Sequence, residues 1–498
     1  MLEFGDRQPR PFARPRLLAV RTLLALALGL LPQLAAADGT SGGTSTARIY
    51  ARGEFPAQVP MFETFWNPFG RVGAYLPGGS VVTATHPFFQ ALGTNGRSCA
   101  TCHQPPSGMS ISLRNVHARF NLTGGKDPLF APIDGANCPN AVQAGKPRVG
   151  RSVILNRAAI RMPIPWPPRN PDGTAKPVEF DLAITPDQDP TGCNTDPVYG
   201  LASGYVSVFR RPPSVAQINF KTQRPSGTGP ILAGSLMWDG RETSLEQQAI
   251  DATRGHAQAL KDPTAQQIRQ IVAFQAGIFS AQHRDRLAGG LLRGGASGGP
   301  VALSRQVPAP AVAEPFTLYR NWAASNEARA SIARGENLFN NHIFFVSAVD
   351  GFSDRPDVLT DEATCASCHG VSGSGSDSRA NGQMNLGISG TGNLFGGRPA
   401  SLDLPRFTLT CRADVQPSSA GFGPIVTNDP GLALITGKCA DIGKFTVPHL
   451  RALAAREPYF HGGSSASLED VVLFYDKRFE MGLTSEDIAD LVNFMAAL

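Results

Sequence analysis

The residues with the clearest chemistry form two copies of one short motif, Cys99-Ala-Thr-Cys102-His103 and Cys365-Ala-Ser-Cys368-His369. In a Cys-X-X-Cys-His motif the two thiols can add to the two vinyl groups of one porphyrin, and the next histidine can then ligate its iron. Zinc sites and redox dithiols also use paired cysteines, but neither needs a histidine directly after the second one. The sequence therefore predicts two covalently bound haem c groups, with His103 and His369 as proximal iron ligands.

The N-terminal segment 1–37 has the composition of an export signal. Five arginines precede an apolar run at 22–31, and three alanines follow at 35–37. This pattern is typical of a secretory signal peptide cleaved before Asp38, and the apolar run is shorter than the ~18 residues that a membrane-spanning helix needs. We therefore expect a periplasmic protein without stable membrane insertion after signal removal. The near-balanced charge, +5 for the whole chain, gives no reason to expect a nucleic-acid partner.

Four further cysteines lie outside the motifs. In an exported protein such cysteines are candidates for disulfide bonds, and their distribution favours one bond in each half of the chain. Four cysteines permit three pairings, and we choose the simplest one, in which each bond stays within one half of the chain. The favoured pairs are Cys138 with Cys193 and Cys411 with Cys439.

The elements that must position the motifs fall into two halves. A Gly-, Ala- and Pro-rich stretch at 289–315 separates them, and each half has an aromatic-rich segment before its motif. We expect an N-terminal haem c domain at 38–290, a linker at 291–320 and a C-terminal haem c domain at 321–498.

Periodicity gives the secondary structure of these domains. Apolar residues three or four apart predict helices at 244–253, 265–282, 327–339, 468–479 and 485–498. Between about 105 and 205 the sequence changes to short alternating runs, such as 152–155 and 178–182, which indicate an insertion with a few strands. The predicted fold is mainly α, with two cytochrome c-like haem domains, long loops and a partly β insertion in the first domain.

Five further segments carry a resemblance to a known family. They are Arg210-Arg-Pro-Pro-Ser-Val215, Met237-Trp-Asp-Gly-Arg241, Gln247-Gln-Ala249, Val447-Pro-His-Leu-Arg451 and Pro458-Tyr-Phe-His-Gly-Gly463. With them the chain resembles the bacterial di-haem cytochrome c peroxidase family, which includes the methylamine-utilisation di-haem enzyme. More distantly it resembles the di-haem rubber oxygenases, and the insertion could then line a substrate channel or serve structure alone.

The resemblance implies a division of labour between the two haems. The N-terminal haem would reduce peroxide or activate dioxygen, and the C-terminal haem would supply electrons received from a small redox protein, a cytochrome c or a cupredoxin. Trp238 would relay electrons between the haems, and Arg241 and Arg451 would pair with haem propionates or form structural salt bridges. The alternative is a non-catalytic di-haem electron-transfer cytochrome.

The chain departs from the peroxidases around the N-terminal haem. Their distal Glu is replaced by Gln258, whose amide cannot shuttle a proton, so peroxide turnover is expected to be slow. His256, two residues earlier, is the substitute acid or base. The segment 204–207 lacks the histidine that closes this haem in resting peroxidases, which predicts an open iron.

The sixth ligand of the C-terminal haem has three candidates. Tyr475 aligns with the methionine ligand of the peroxidases and with the tyrosine of the methylamine-utilisation enzyme, while Met481 and His461 are its rivals. A tyrosine ligand would lower the haem potential and a methionine would raise it. Arg211 replaces an asparagine on which the peroxidases' calcium depends, and a guanidinium cannot ligate a cation, so no calcium is expected.

Overall fold

The structure is a computed structural model that describes residues 46–222, 236–308, 314–347, 349–352, 362–376, 382–390, 402–415 and 423–498. The expected signal peptide lies outside these residues. Within them, no helix is both long and apolar enough to cross a membrane.

Helices supply most of the regular structure. Helical residues make up 35% and strand residues 17% of the structure, so the expectation of a mainly helical chain holds in part. The α-helices are α1 (Thr46–Ala51), α2 (Leu113–Thr123), α3 (Pro132–Gly135), α4 (Ser152–Arg157), α5 (Asn219–Thr222), α6 (Leu245–Gly255), α7 (Ala265–Gly277), α8 (Pro300–Leu303), α9 (Glu327–Asn341), α10 (Cys365–Cys368), α11 (Ala433–Thr436), α12 (Leu468–Phe479) and α13 (Ser485–Ala497).

The strands are short and form small sheets. They are β1 (Gln58–Val59), β2 (Phe62–Asn67), β3 (Gly70–Tyr75), β4 (Val81–Val82), β5 (Ile160–Pro165), β6 (Phe180–Ala183), β7 (Tyr205–Arg210), β8 (Phe279–Asp285), β9 (Gly289–Gly290), β10 (Phe344–Phe345), β11 (Glu362–Ala363), β12 (Gln383–Met384), β13 (Phe407–Cys411), β14 (Ile425–Thr427) and β15 (Phe445–Thr446).

Two predicted elements are wrong in type or length. The helix expected at 265–282 ends at Gly277, and the chain continues as β8, which pairs with the distant β3 from Tyr75↔Phe279 to Gly70↔Asp285. The run expected as a strand at 152–155 is helix α4, whose Val153, Ile154 and Leu155 are all buried. A short, fully buried apolar run has no periodicity that separates helix from strand.

Pairing between strands joins segments that are far apart in the chain. Within the expected insertion, β5 pairs with β7 in a ladder from Ile160↔Arg210 to Pro165↔Tyr205. Strand β6 pairs instead with β13, from Phe180↔Cys411 to Ala183↔Thr408, and β13 pairs with β14. The segment predicted to be a partly β insertion thus contains strands, and β6 pairs with a strand from the second half.

Both predicted disulfide pairs are confirmed. Cys138 and Cys193 have Cα atoms 5.0 Å apart, and Cys411 and Cys439 have Cα atoms 6.0 Å apart. The second bond lies next to the β6–β13 pairing, where the Cys439 amide donates to Glu179 Oε2 at 2.9 Å. It therefore fixes the place where the two halves share a sheet.

The core of the second half is built on α9 and α13. The two helices approach so closely at Gly335 that a Cβ there would lie 2.0 Å from the carbonyl oxygen of Asp490. Buried Trp322, Phe339, Phe494 and Leu498 fill the surrounding cluster. The backbone amide of Gln282 in β8 donates to the oxygen of Leu498, which ties this core to the first half.

Candidate haem-binding sites

The two Cys-X-X-Cys-His motifs adopt the same local structure. Each begins a short helical turn after a hydroxyl residue, Ser98 or Thr364, whose amide donates to the side chain three residues on. In each, the histidine amide donates to the carbonyl of the first cysteine, at 3.1 Å for His103 and 2.9 Å for His369. The two copies of the motif thus share one local structure.

The imidazoles of the two motifs are also held alike. His103 Nδ1 lies 3.1 Å from the oxygen of Met109, and His369 Nδ1 lies 2.7 Å from the oxygen of Gly375. A carbonyl oxygen can only accept, so Nδ1 carries the proton and Nε2 keeps its lone pair free for a metal. Burial lowers the pKa of His103 to about 4 and lowers that of His369 too, so both rings are neutral at pH 7.

The four motif cysteines form no disulfide bond in the described part of the chain, while the other four form the two disulfides. Burial raises the pKa of Cys99 and of Cys365 to about 12. A redox dithiol works through a thiolate, which such burial disfavours. Partly buried thiols outside any disulfide, beside a neutral imidazole, fit the attachment of a haem c.

A large cavity opens next to the first motif. Cys99, Cys102 and His103 line it, together with Trp238 and His256. Helix α6 forms one wall, because Leu245, Gln248, Ala249 and Ala252 recur at helical spacing and face the cavity. From the expected insertion, Ser110 and the β5 residues Ile160 and Met162 line the cavity.

His256 reaches the cavity from the end of α6, where it is the C-terminal cap. Its Nδ1 lies 2.6 Å from Oδ2 of Asp134, a buried carboxylate that also pairs with the Arg97 guanidinium. Burial and the positive charges of Arg97 and Arg241 lower the pKa of His256, so its ring is neutral and Nδ1–H donates to Asp134. Nε2 is then an acceptor.

Gln258 is placed differently from the sequence-based expectation. It does not line the cavity, and its side chain is exposed, with Oε1 accepting from Asn95 Nδ2 at 3.3 Å. The chain turns away from the cavity here because Gln258 adopts a left-handed conformation with φ 56°. Of the two predicted distal residues, the structure brings only His256 to the first motif.

A tight turn presents Trp238 to the same cavity. Leu236 and Glu242 form a bridge, Met237 and Gly240 have positive φ, and the residues between them form the turn. Trp238 is 9% exposed and donates from Nε1 to the oxygen of Arg211 at 2.7 Å. Its own carbonyl accepts from the amide of Thr446 in β15 at 2.9 Å.

Buried charges support this turn from behind. Arg210 pairs with Asp239 and makes a two-point contact with Asp429, from Nε at 2.6 Å and from Nη2 at 2.9 Å. Arg241, one of the expected propionate partners, pairs with Asp239 at 2.8 Å and also lines the cavity. His461 stacks on Phe445 at 4.0 Å, and its Nε2 lies 3.7 Å from Asp429.

The second motif packs in a cluster with two of its candidate sixth ligands. Cys365 and Cys368 contact an apolar cluster that contains Met481 and the partly buried Tyr475. Burial, with the two cysteines nearby, raises the pKa of Tyr475. The ring centroid of His461, the third candidate, lies 6.2 Å from that of Trp238.

Arg451 offers a test of whether a haem fits the second site. The side chain is 2% exposed, and its Nε donates to Ser374 Oγ at 3.3 Å, next to the Gly375 that holds His369. Its Nη2 is buried and has no hydrogen-bond partner among the described residues. A buried guanidinium nitrogen without an acceptor is costly, and a propionate would satisfy it. The residues present fit a haem.

Arg211 lies where the family's calcium would depend on an asparagine. Its Nη2 donates to the carbonyl oxygens of Ile111 and Arg456, both at 2.7 Å. The guanidinium group therefore contacts two carbonyl oxygens of the kind that bind calcium.

Sequence reasoning missed Asp134, Arg97 and Gln217. Asp134 and His256 are 122 residues apart, and neither carries a motif that marks the pairing. His449 lies in one of the segments that carry the family resemblance, but the resemblance implied no role for it. Its position in the cavity wall, beside Gln217, comes from the fold alone.

Comparison with known proteins bears on these sites. No protein-family profile matches the chain. Curated relatives are the cytochrome-c peroxidases IdrP1 of Denitromonas iodatirespirans, 29% identical over 283 residues, and of Pseudomonas sp. strain SCT, 27% identical over 282 residues. Each match covers 53% of this chain and 64% of the relative, so the chain spans less than two thirds of these relatives' length.

Two solved structures are also similar. One is a MauG-like protein associated with microbial copper homeostasis, with 19% identity and a TM-score of 0.31, covering 59% of this chain and 77% of that one. The other is Kuenenia stuttgartiensis hydrazine synthase, with 15% identity and a TM-score of 0.30, covering 58% and 73%. These scores are too low to bear on the fold. The curated relatives confirm the resemblance to the di-haem cytochrome c peroxidase family.

Proposed function

We propose that this relative of the cytochrome c peroxidases is a periplasmic oxidoreductase with two covalently bound haems. Cys99, Cys102 and His103 would hold the N-terminal haem, which would supply the chemistry for reducing peroxide or activating dioxygen, and Cys365, Cys368 and His369 would hold the C-terminal haem, which would supply the electrons. One observation carries the proposal: a single cavity is lined by the first motif, by Trp238 and by a histidine that a buried carboxylate orients. A simple electron carrier has no need of that histidine.

A haem iron held by His103 would supply the site at which peroxide or dioxygen is reduced. The protein supplies the proton handling. With Nδ1–H held by Asp134, His256 Nε2 can take a proton from an incoming peroxide and return it to the departing oxygen. This role replaces that of the missing distal carboxylate, since Gln258 lies outside the cavity.

Trp238 is the proposed electron relay. Its backbone oxygen accepts from Thr446 in β15, and β15 pairs with β12, whose Met384 lies in the apolar cluster with Cys365 and Cys368. The indole Nε1–H points to a carbonyl oxygen, which is too weak a base to take its proton. An oxidised Trp238 would therefore keep its proton.

Tyr475 is the residue proposed to hold the iron of the C-terminal haem together with His369, and Met481 and His461 are the alternatives. The proximity of Tyr475 to both cysteines supports this choice. A closed iron exchanges electrons without binding substrate, as an electron port for a small cytochrome c or cupredoxin requires.

A single-turnover experiment tests the proposal. Reduction of one hydrogen peroxide to two waters takes two electrons and two protons, so the fully reduced protein should lose one electron from each haem per peroxide. Stopped-flow absorbance should show that both haems become oxidised. In Trp238→Phe, oxidation of the C-terminal haem should be at least tenfold slower. Inertness of the reduced protein to both peroxide and dioxygen would contradict the proposal.

A further inference from the structure

His449 lies in the cavity wall with a fixed tautomer. Its Nδ1 is 3.2 Å from Gln217 Nε2 and accepts from the backbone amide of Arg451 at 3.2 Å. The Gln217 amide cannot be turned round, because its Oε1 accepts from the amide of Ser280 at 2.9 Å. Two donors therefore point at Nδ1, so Nδ1 has no proton and Nε2 carries it.

The proton on Nε2 determines what His449 can do. Iron ligation through Nε2 would need the other tautomer, and that tautomer would set an Nδ1–H against the Arg451 amide. Nε2 is buried and has no hydrogen-bond partner among the described residues. His449 is thus an unsatisfied donor in the wall of the cavity.

Its surroundings favour an anionic acceptor. The Nε atoms of Arg456 and Arg211 also lack partners among the described residues, and both side chains line the same cavity. Burial and the charges of Arg456, Arg451 and Lys221 keep the pKa of His449 well below its usual value, so the ring is a neutral donor. Several N–H groups and positive charges in one wall match a carboxylate.

We propose that His449 Nε2–H donates to a propionate of the haem on Cys99 and Cys102, as a positioning residue and not as an iron ligand. The inference rests on haem attachment at that motif. Two residues after His449, the Arg451 side chain donates a hydrogen bond to Ser374, which lies in the loop that holds His369. His449 thus links the Arg451 backbone to the first haem through one imidazole.

Resonance Raman spectroscopy of the haem-loaded protein tests this inference, because loss of a hydrogen bond lowers the frequency of the propionate bending band. We expect His449→Phe to lower that band and His449→Gln, which keeps an N–H donor, to stay closer to the parent. Gln217→Glu offers Nδ1 an acceptor in place of a donor, favours the other tautomer, and should shift the band in the same direction as His449→Phe.

A pyridine haemochrome assay, which counts the bound haems, distinguishes a failure of haem attachment from a failure of the His449 contact. If the parent protein holds fewer than two haems, the proposed function itself fails. If two haems are present and the propionate band is unchanged in both His449→Phe and Gln217→Glu, only the role of His449 is overturned. Where His449→Phe does not load haem, the Gln217→Glu spectrum decides.

Discussion

At the scale of single residues, the contact between His256 and Asp134 sets the expected acid–base chemistry. In His256→Gln the side chain keeps its polarity but cannot transfer a proton, so the rate of peroxide reaction should fall about 100-fold or more. The measurement is stopped-flow oxidation of the first haem by peroxide. Gln258→Ala is the matched control, because this exposed residue should change the rate by less than about twofold. Equal rates in the two variants would remove His256 from the mechanism.

Tyr475 carries a second prediction at this scale. Tyr475→Phe should abolish any tyrosinate-to-iron charge-transfer band and raise the potential of the C-terminal haem, because an anionic oxygen donor stabilises ferric iron. Met481→Leu is the control and should leave the visible spectrum unchanged. The opposite pattern, with the change in Met481→Leu alone, would assign the ligand to Met481.

The sequence predicted those residues whose chemistry depends on short spacing. The two Cys-X-X-Cys-His motifs and the two disulfide pairs could be found because neighbouring residues, or simple division of the chain, specify them. Asp134, Gln217 and the orientation of His449 could not, because each depends on a contact across many residues. The place of Gln258 outside the cavity follows from its left-handed backbone, which sequence alignment does not reveal.

At the scale of elements, the contact between α9 and α13 depends on Gly335. A Cβ in Gly335→Ala would lie 2.0 Å from the backbone oxygen of Asp490. Both atoms belong to helix backbones, so the clash can be relieved only by moving the two helices apart. We expect a loss of about 2 kcal/mol in the free energy of unfolding. Gly255→Ala at the end of α6, where a Cβ meets nothing within 4 Å, should be neutral or stabilising. Circular dichroism during thermal unfolding compares the two, and equal melting temperatures would contradict the close packing.

The turn that presents Trp238 depends on Asp239. Burial alone would raise the pKa of Asp239, but the guanidinium groups of Arg241 and Arg210 outweigh it and lower the pKa to about 2. The ion pairs of the Asp239 carboxylate therefore stabilise the folded protein at pH values above the usual pKa of 3.8. This stabilisation is lost as the pH falls towards the lowered pKa of about 2.

Asp239→Asn should therefore cost about 2 kcal/mol at pH 7 and flatten the fall in stability between pH 4 and pH 2. Urea unfolding across that range measures both effects. An unchanged acid dependence would show that Asp239 does not anchor the turn.

Element boundaries show where local patterning stops being informative. Helices α12 and α13 begin as periodicity predicts, and Thr484 caps α13 by accepting from the Asp487 amide at 3.2 Å. The four-stranded sheet of β2, β3, β8 and β9 was not predicted, because it joins residues 62–75 to residues 279–290. Pairing over such a separation overrides the helix predicted to continue from α7 to residue 282.

At the scale of the whole molecule, the Cys411–Cys439 bond secures the sheet that the two halves share. The double variant Cys411→Ser with Cys439→Ser opens a loop of 28 residues and should lower stability by about 3 kcal/mol. Calorimetry of the haem-loaded protein measures this loss. The Cys138–Cys193 double variant gives a comparison within the first half alone, and an unchanged melting temperature in the Cys411 and Cys439 variant would remove the bond's stabilising role.

The two similar motifs have unequal proposed roles, with an open, reactive haem on Cys99 to His103 and a closed, electron-supplying haem on Cys365 to His369. Electron paramagnetic resonance of the purified protein during cyanide titration, with haem counted in parallel, tests this most directly. We expect two haems per chain, of which one binds cyanide and the other keeps its low-spin signal. Two low-spin haems that bind neither cyanide nor carbon monoxide would contradict it.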